Sequence, residues 1–278
     1  MPKATIKTKE ERILELYKFP FQVGVKKLYK YRSMASEQEI DWLEEVFRDR
    51  KIYFPSPIQL NDPFECRPQI IYYRSASKIK AFFEGQANKR FPHFNRRLRR
   101  EEERKAIKRF KSNQDQFIKA SYDDFIQKTG LYCVSQINDD LLMWSHYSNG
   151  HRGVVLEFDA TKENTLFWEA LDVHYDKEYP VVNIMEIGEP EEYRKLLLVK
   201  FVQWGYEKEW RIIRTPGEGG PRKYGFAPEL LTGVIMGAVI SPENRERILK
   251  WVKDYSTKIT LYQAKINTTK YQLDIESI

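Results

Sequence analysis

LLMWSHYSNGHRGVVLEFD, residues 141–159, packs two histidines, a Trp, a Tyr and a Ser into a short polar segment and then turns apolar. The chain has four histidines, and two of them, His146 and His151, lie five residues apart here. The apolar half, Gly153 to Phe158, reads as a strand. The polar half reads as a strand-flanking loop, the kind of segment in which aromatic faces and polar tips gather around ligands. Upstream, Leu131 to Ser135 reads as a neighbouring strand of the same sheet.

Working outward, Val25 to Arg32 alternates as a first strand, after a helix over 7–19 that Pro20 closes. Ser36 with Glu39 three residues on forms a capping box, and Ile40, Leu43, Val46 and Phe47 follow helical spacing behind it. Shorter strands are expected over 52–56, 67–73, 173–175 and 181–184, with a helix over 190–200. The C-terminal part reads strand (231–240), helix (242–255) and two strands (259–265 and 271–275). Residues 76–128 are helical apart from a break at Pro92. No repeat or flexible linker divides the chain. The expectation is a single α+β domain over 1–278, with a mixed or split β-sheet core and an inserted basic helical lobe at 76–128.

The charge is concentrated in that lobe. Between Lys89 and Lys111 there are eleven Lys and Arg against three Glu, whereas the net charge of the whole chain is +7. The rest is therefore close to neutral, and the basic segment 89–111 is the candidate contact for nucleic acid, an anionic nucleotide or an acidic partner. Its helix can relieve part of the repulsion by pairing Glu101 with Lys105. No 18-residue apolar run suggests a membrane span. The N-terminus lacks the apolar core of a secretory signal, and Cys66 and Cys133 are too few for a disulfide framework. A cytoplasmic location fits these features.

Three constellations could carry chemistry. Asn61-Asp62-Pro63-Phe64-Glu65 is either an ordinary turn or the border of a pocket. In the opening stretch, Trp144 and Tyr147 could offer flat surface while Ser145 and His146 offer hydrogen bonds; a buried Trp with a satisfied His is the competing account. In Lys208-Glu209-Trp210-Arg211-Ile212-Ile213, alternation puts Glu209 and Arg211 on one face and Trp210 and Ile212 on the other. The first pair should face solvent or a cleft if the second faces the core. There is no phosphate-binding glycine loop, and Gly217 to Pro221 reads as a flexible loop. The His146–His151 spacing does not make a metal site by itself, so no resident metal is expected.

LYKYRS (28–33), NDPFE (61–65), MWSHY with its trailing HRG (143–153) and YEKEWR (206–211) together resemble a bacterial family catalogued as domain of unknown function 2971. More remotely, the order of a YxYR strand, a polar turn, a mid-chain aromatic motif and a late Glu-bearing strand is similar to ADP-ribosyltransferases. That resemblance implies a split β-sandwich holding NAD as substrate. It implies that Tyr31 or Arg32, with Ser33 beside them, contacts the nicotinamide ribose or a phosphate. Tyr147, or else Ser145 or His146, would meet the nicotinamide, with Trp144, Asn61 and Asp62 lining the site. Glu209, in the pair Glu207-x-Glu209, would stabilise the cation that develops on the ribose. The function implied is ADP-ribosyl transfer or NAD cleavage, in the manner of a toxin or phage-defence effector. Two rivals remain: a non-catalytic nucleic-acid-binding protein, and a metal-dependent nuclease using Asp62, Glu65, His146, His151 and Glu209.

Overall fold

Short apolar runs, buried on both faces of the sheet, make the central segments strands. In the computed structural model, which describes residues 9–278 and side chains from Ile13 onward, these strands run the length of the chain. They are β1 (Lys27–Arg32), β2 (Lys51–Phe54), β3 (Gln69–Ile71), β4 (Gly130–Ser135), β5 (Val154–Asp159), β6 (Leu171–Asp172) and β7 (His174–Asp176). Then follow β8 (Val181–Asn183), β9 (Val199–Phe201), β10 (Glu209–Arg214), β11 (Arg222–Gly225), β12 (Leu231–Met236), β13 (Thr260–Ile266) and β14 (Leu273–Ser277). The helices are α1 (Lys9–Leu16), α2 (Pro20–Val23), α3 (Glu37–Arg48), α4 (Ala76–Arg90), α5 (Arg96–Ser112), α6 (Gln114–Gln127), α7 (Leu141–Tyr147), α8 (Pro190–Leu197) and α9 (Pro242–Lys253). Residues 7 and 8 of the first expected helix lie outside the described residues.

Eight strands form one mixed sheet in the order β14-β13-β12-β5-β1-β4-β10-β6. Its neighbours are antiparallel except β12 and β13, which run parallel and are joined by α9, as a parallel pair requires a crossover. The class is α+β, and the first strand lies mid-sheet, between β5 and β4. On one face, Leu28, Val134, Leu156, Phe158, Trp210 and Ile212 pack under α3 and α9. On the other, Tyr31, Val155 and Ile235 meet Met143 and Trp144 of α7, while Leu131 and Ile213 meet Leu196 to Leu198. The α3 helix begins as its sequence dictates: Glu39 N donates to Ser36 Oγ, and Glu39 Oε2 accepts from Ser36 N.

The sheet is nearly two sheets. β1 is registered with β5 along its whole length, and β4 likewise with β10. Between β1 and β4 only Tyr29 and Ser135 are paired. The helices α4, α5 and α6 make the lobe expected at 76–128, with their own core of Ile79, Phe83, Phe110 and Ile118 set against Ile184 and Met185. Among the described residues, no helix is long and apolar enough to cross a membrane.

Three local readings change. Residues 141–147 form a helix, not a loop: Asp140 caps it by accepting from Met143 N at 2.9 Å, and Met143 and Trp144 turn inward. The helix expected to reach Lys200 stops at Leu197, and Lys200 lies on β9. The glycine-rich 217–221 segment leads into β11, which pairs with β2.

After α7 the chain turns sharply back to the sheet, and Gly153 is why it fits. A Cβ there would sit 2.0 Å from the Arg32 carbonyl oxygen, closer than any real contact. Gly153→Ala should therefore push the end of β1 aside and cost at least about 1–3 kcal/mol, read as a lower urea midpoint; an unchanged midpoint would disprove the close approach.

Candidate functional site

On β10 the alternation holds: Trp210 and Ile212 are in the core, with Glu209 and Arg211 on the other face. That face is not solvent. Arg211 is 0% and Glu209 5% exposed, so the surface-pair account of these residues is replaced by a buried ionic cluster. Arg211 Nε donates to Glu209 Oε1 at 2.8 Å, and its other nitrogens reach Glu209 Oε2, the Glu65 carboxylate and the Leu197 carbonyl. Lys200 Nζ lies 2.5 Å from Glu207 Oε2, 2.9 Å from Glu209 Oε2 and 3.7 Å from Glu65 Oε2. Lys208, between the two acids, takes a left-handed φ of 46°, and both flanking carboxylates turn onto the same ammonium.

The cluster connects outward through Tyr147. The Tyr147 hydroxyl donates to Glu207 Oε1 at 2.7 Å and accepts from Asn61 Nδ2 at 3.2 Å. Glu209 N donates to the Tyr175 hydroxyl at 2.8 Å. Burial raises the Glu207 carboxyl above the ordinary range, against the pull of Lys200. Burial alone would depress Lys200, but Glu209 and Glu207 outweigh it and hold the ammonium charged far above neutrality. Burial and the Glu207 charge together keep Tyr147 a phenol.

Where β1 and β4 part, a cavity of about 610 Å³ opens, within the size range of small-molecule sites. Its lining draws on both faces of the sheet: Lys30, Arg32 and Tyr132 from one, and Tyr147, Glu207 and Glu209 from the other. Trp42 and Tyr53, both exposed, add aromatic surface from α3 and β2.

Of the residues singled out by sequence, Tyr31, Arg32, Asn61, Glu65, Tyr147 and Glu209 line this one cavity. The others lie elsewhere. Ser33 Oγ donates to Glu39 at the start of α3. Asp62 accepts from Phe64 N within its own turn. Trp144 is fully buried, its Nε1 donating to the Asn138 carbonyl and its ring edge-on to Tyr31, so it is a core residue and not a stacking wall. His146 is exposed, 3.3 Å from the Tyr206 hydroxyl. Ser145 is exposed beside His151, whose ring stacks on Trp144. Of the residues considered for a metal-dependent nuclease, Glu65 and Glu209 come together, but with Arg211 and Lys200 between them and both histidines elsewhere.

Sequence reasoning missed Lys30, Tyr132, Lys200 and the leading part of Glu207. The Glu207-x-Glu209 spacing was a visible signal for the last. Lys30 was visible as a charge on the same strand face as Leu28. The place of Lys200 depended on a helix ending three residues early.

A family described as Protein of unknown function (DUF2971) matches residues 143–212, the span from α7 to β10. This supports the resemblance carried by MWSHY and YEKEWR. No curated protein and no solved structure matches the chain.

Removing one member of a buried ionic cluster strands the rest without compensation. Lys200→Met should cost about 3–5 kcal/mol in urea unfolding at pH 8. Freed of the ammonium, Glu207, already raised by burial, would bind a proton more readily folded than unfolded, so the loss should shrink as the pH falls to 5. A loss below about 1 kcal/mol, or one independent of pH, would contradict this account.

Proposed function

We propose that the protein is an enzyme that binds NAD in the cavity between β1 and β4 and breaks the bond between nicotinamide and ribose. The ADP-ribosyl group passes to water or to an acceptor on nucleic acid or protein. One observation carries the reading: a single cavity lined by cations, Lys30 and Arg32, and by an acid–phenol group, Tyr147 with Glu207 and Glu209. A dinucleotide needs both. Its phosphates are anionic, while its ribose becomes cationic as the glycosidic bond breaks.

In this reading the bonding electrons leave with nicotinamide, and positive charge builds on the ribose. Glu207, which faces the cavity through Tyr147, stabilises that charge from a position fixed by Lys200 and Tyr147. The incoming nucleophile donates its electron pair to the ribose carbon, and its proton passes to the Tyr147 oxygen as the Tyr147 hydroxyl proton moves to Glu207 Oε1, whose raised pKa suits a base. Glu209 has both oxygens engaged by Arg211 and Lys200, so it shapes the field around Glu207 more than it meets substrate. The eight strands form one continuous sheet and not a split β-sandwich, so the reading rests on the lining of the cavity and not on the fold. A toxin or phage-defence role would suit the chemistry. The exposed Arg96, Arg97, Arg100, Arg104, Lys108 and Arg109 of α5 would draw in an anionic target, in a salt-dependent manner.

The test is incubation of purified protein with NAD, alone and with RNA, DNA and protein acceptors, following nicotinamide release and transfer of label. Wild type should release nicotinamide, and Glu207→Gln should do so about 10²–10³-fold more slowly. EDTA should change neither. No release by wild type under any condition, or equal release by wild type, Glu207→Gln and Glu209→Gln, would sink the proposal. Activity abolished by EDTA would point to a metal-dependent reaction instead.

A further inference from the structure

We propose that Lys30, Arg32 and the Tyr132 hydroxyl form an anion subsite in the gap between β1 and β4, built to hold the diphosphate of a nucleotide. This deepens the nucleotide reading above by naming the part of the ligand that is held, but it does not require any bond to be broken.

Lys30 and Arg32 are two apart on β1, so they project from the same face of the strand, about 6.6 Å from one another along it. That is the face of Leu28, and their register partners on β5 are Leu156 and Val154, both in the main apolar core. Two cations stand where the alternation calls for apolar residues. Lys30 donates to the Cys133 carbonyl at 2.7 Å, a strand carbonyl at the seam, and its ammonium lies 4.9 Å from the centre of the Tyr132 ring. The Arg32 guanidinium lies 5.9 Å from the centre of the same ring.

Among the described residues, no carboxylate of the cavity wall is paired with either cation, and Glu207 and Glu209 offset Lys30 only from a distance. The carboxylates lining it are Glu45, Glu65, Glu207 and Glu209. Glu45 is paired with Lys223, and the other three with Lys200 and Arg211. Burial, with the Arg32 charge added to it, pushes Lys30 down to about 8, the mark of a cation short of compensation. Tyr132 is 1% exposed, and its hydroxyl makes no well-formed hydrogen bond among the described residues, with the Arg32 guanidinium as its near polar neighbour. A buried hydroxyl without a well-formed hydrogen bond, beside two cations that no described carboxylate pairs with, fits a ligand with several anionic oxygens. A diphosphate supplies these, and guanidinium groups bind such oxygens in pairs.

Calorimetric titration at pH 7 with pyrophosphate, orthophosphate, ADP and adenosine tests the subsite. Pyrophosphate and ADP should bind and compete, and adenosine and orthophosphate should each bind at least tenfold more weakly. Lys30→Met and Arg32→Gln should each weaken ADP by tenfold or more and leave adenosine alone. Tyr132→Phe is the cleanest variant, because it deletes an oxygen whose near polar neighbour is Arg32 and which makes no well-formed hydrogen bond among the described residues. It should leave the urea midpoint unchanged or raised while weakening ADP several-fold. The subsite is refuted if wild type binds neither pyrophosphate nor ADP, if adenosine binds as well as ADP, or if Tyr132→Phe retains full ADP affinity. Orthophosphate binding as tightly as pyrophosphate would refute the diphosphate assignment. ADP binding without NAD cleavage would leave the subsite standing and remove only the proposed reaction.

Discussion

The buried Lys200 ammonium, shared by Glu65, Glu207 and Glu209, ties together segments that no sheet hydrogen bond joins. Glu65 comes from the turn after β2, Lys200 from β9, and Glu207 from the turn into β10. Arg211 closes the cluster from beneath, between Glu209, Glu65 and a backbone carbonyl. Such clusters add little net stability, since stripping water from each ion costs about as much as the pairing returns. Their strength lies in geometry: each carboxylate has few places to go. Glu207 is therefore held with one oxygen on Lys200 and the other on Tyr147, and that fixed pose connects the buried charge to the open cavity.

A cavity in the middle of a sheet has its own requirement. When two central strands part, backbone groups that would have paired must be met in another way. Here the seam is narrowed to one registered pair, and Lys30 meets the Cys133 carbonyl in place of a strand partner. The seam survives because each strand is fully zipped to its other neighbour, β1 to β5 and β4 to β10. β2 and β11 form a separate small ribbon, and residues of both, with α3, reach the cavity lining. The opening is thus framed by rigid elements, as a preorganised site needs.

Much of this frame was legible in the sequence, because it depends on local rules. The capping box at Ser36, the alternation through KEWRII and the strands on either side of LLMWSHY follow from spacing alone. What failed to show was long-range. Whether Glu209 and Arg211 meet water depends on what lies over that face of β10, and Leu197, Lys200 and Glu65 arrive there from three other places. Trp144 resembled a stacking wall because a Trp among polar residues looks exposed. A seven-residue helix capped by Asp140 turns it inward while its polar neighbours stay outside. Tyr147, one turn of that helix from Trp144, escapes the core and reaches the cavity, a difference that a linear reading cannot resolve.

The same logic explains why the informative charges are on opposite faces of one sheet. Trp210 and Ile212 must face the core if β10 is to be a central strand, which sends Glu209 and Arg211 to the other side. Leu28 must face that same core, which sends Lys30 and Arg32 with it. In an unbroken sheet the two charge groups would be isolated from each other by the backbone layer. The parting of β1 and β4 removes that layer at one place among the described residues, and the cavity there is lined from both faces. The site is therefore a consequence of pairing failure at a single seam, and widening or closing that seam would change the cavity more than altering any one residue that lines it.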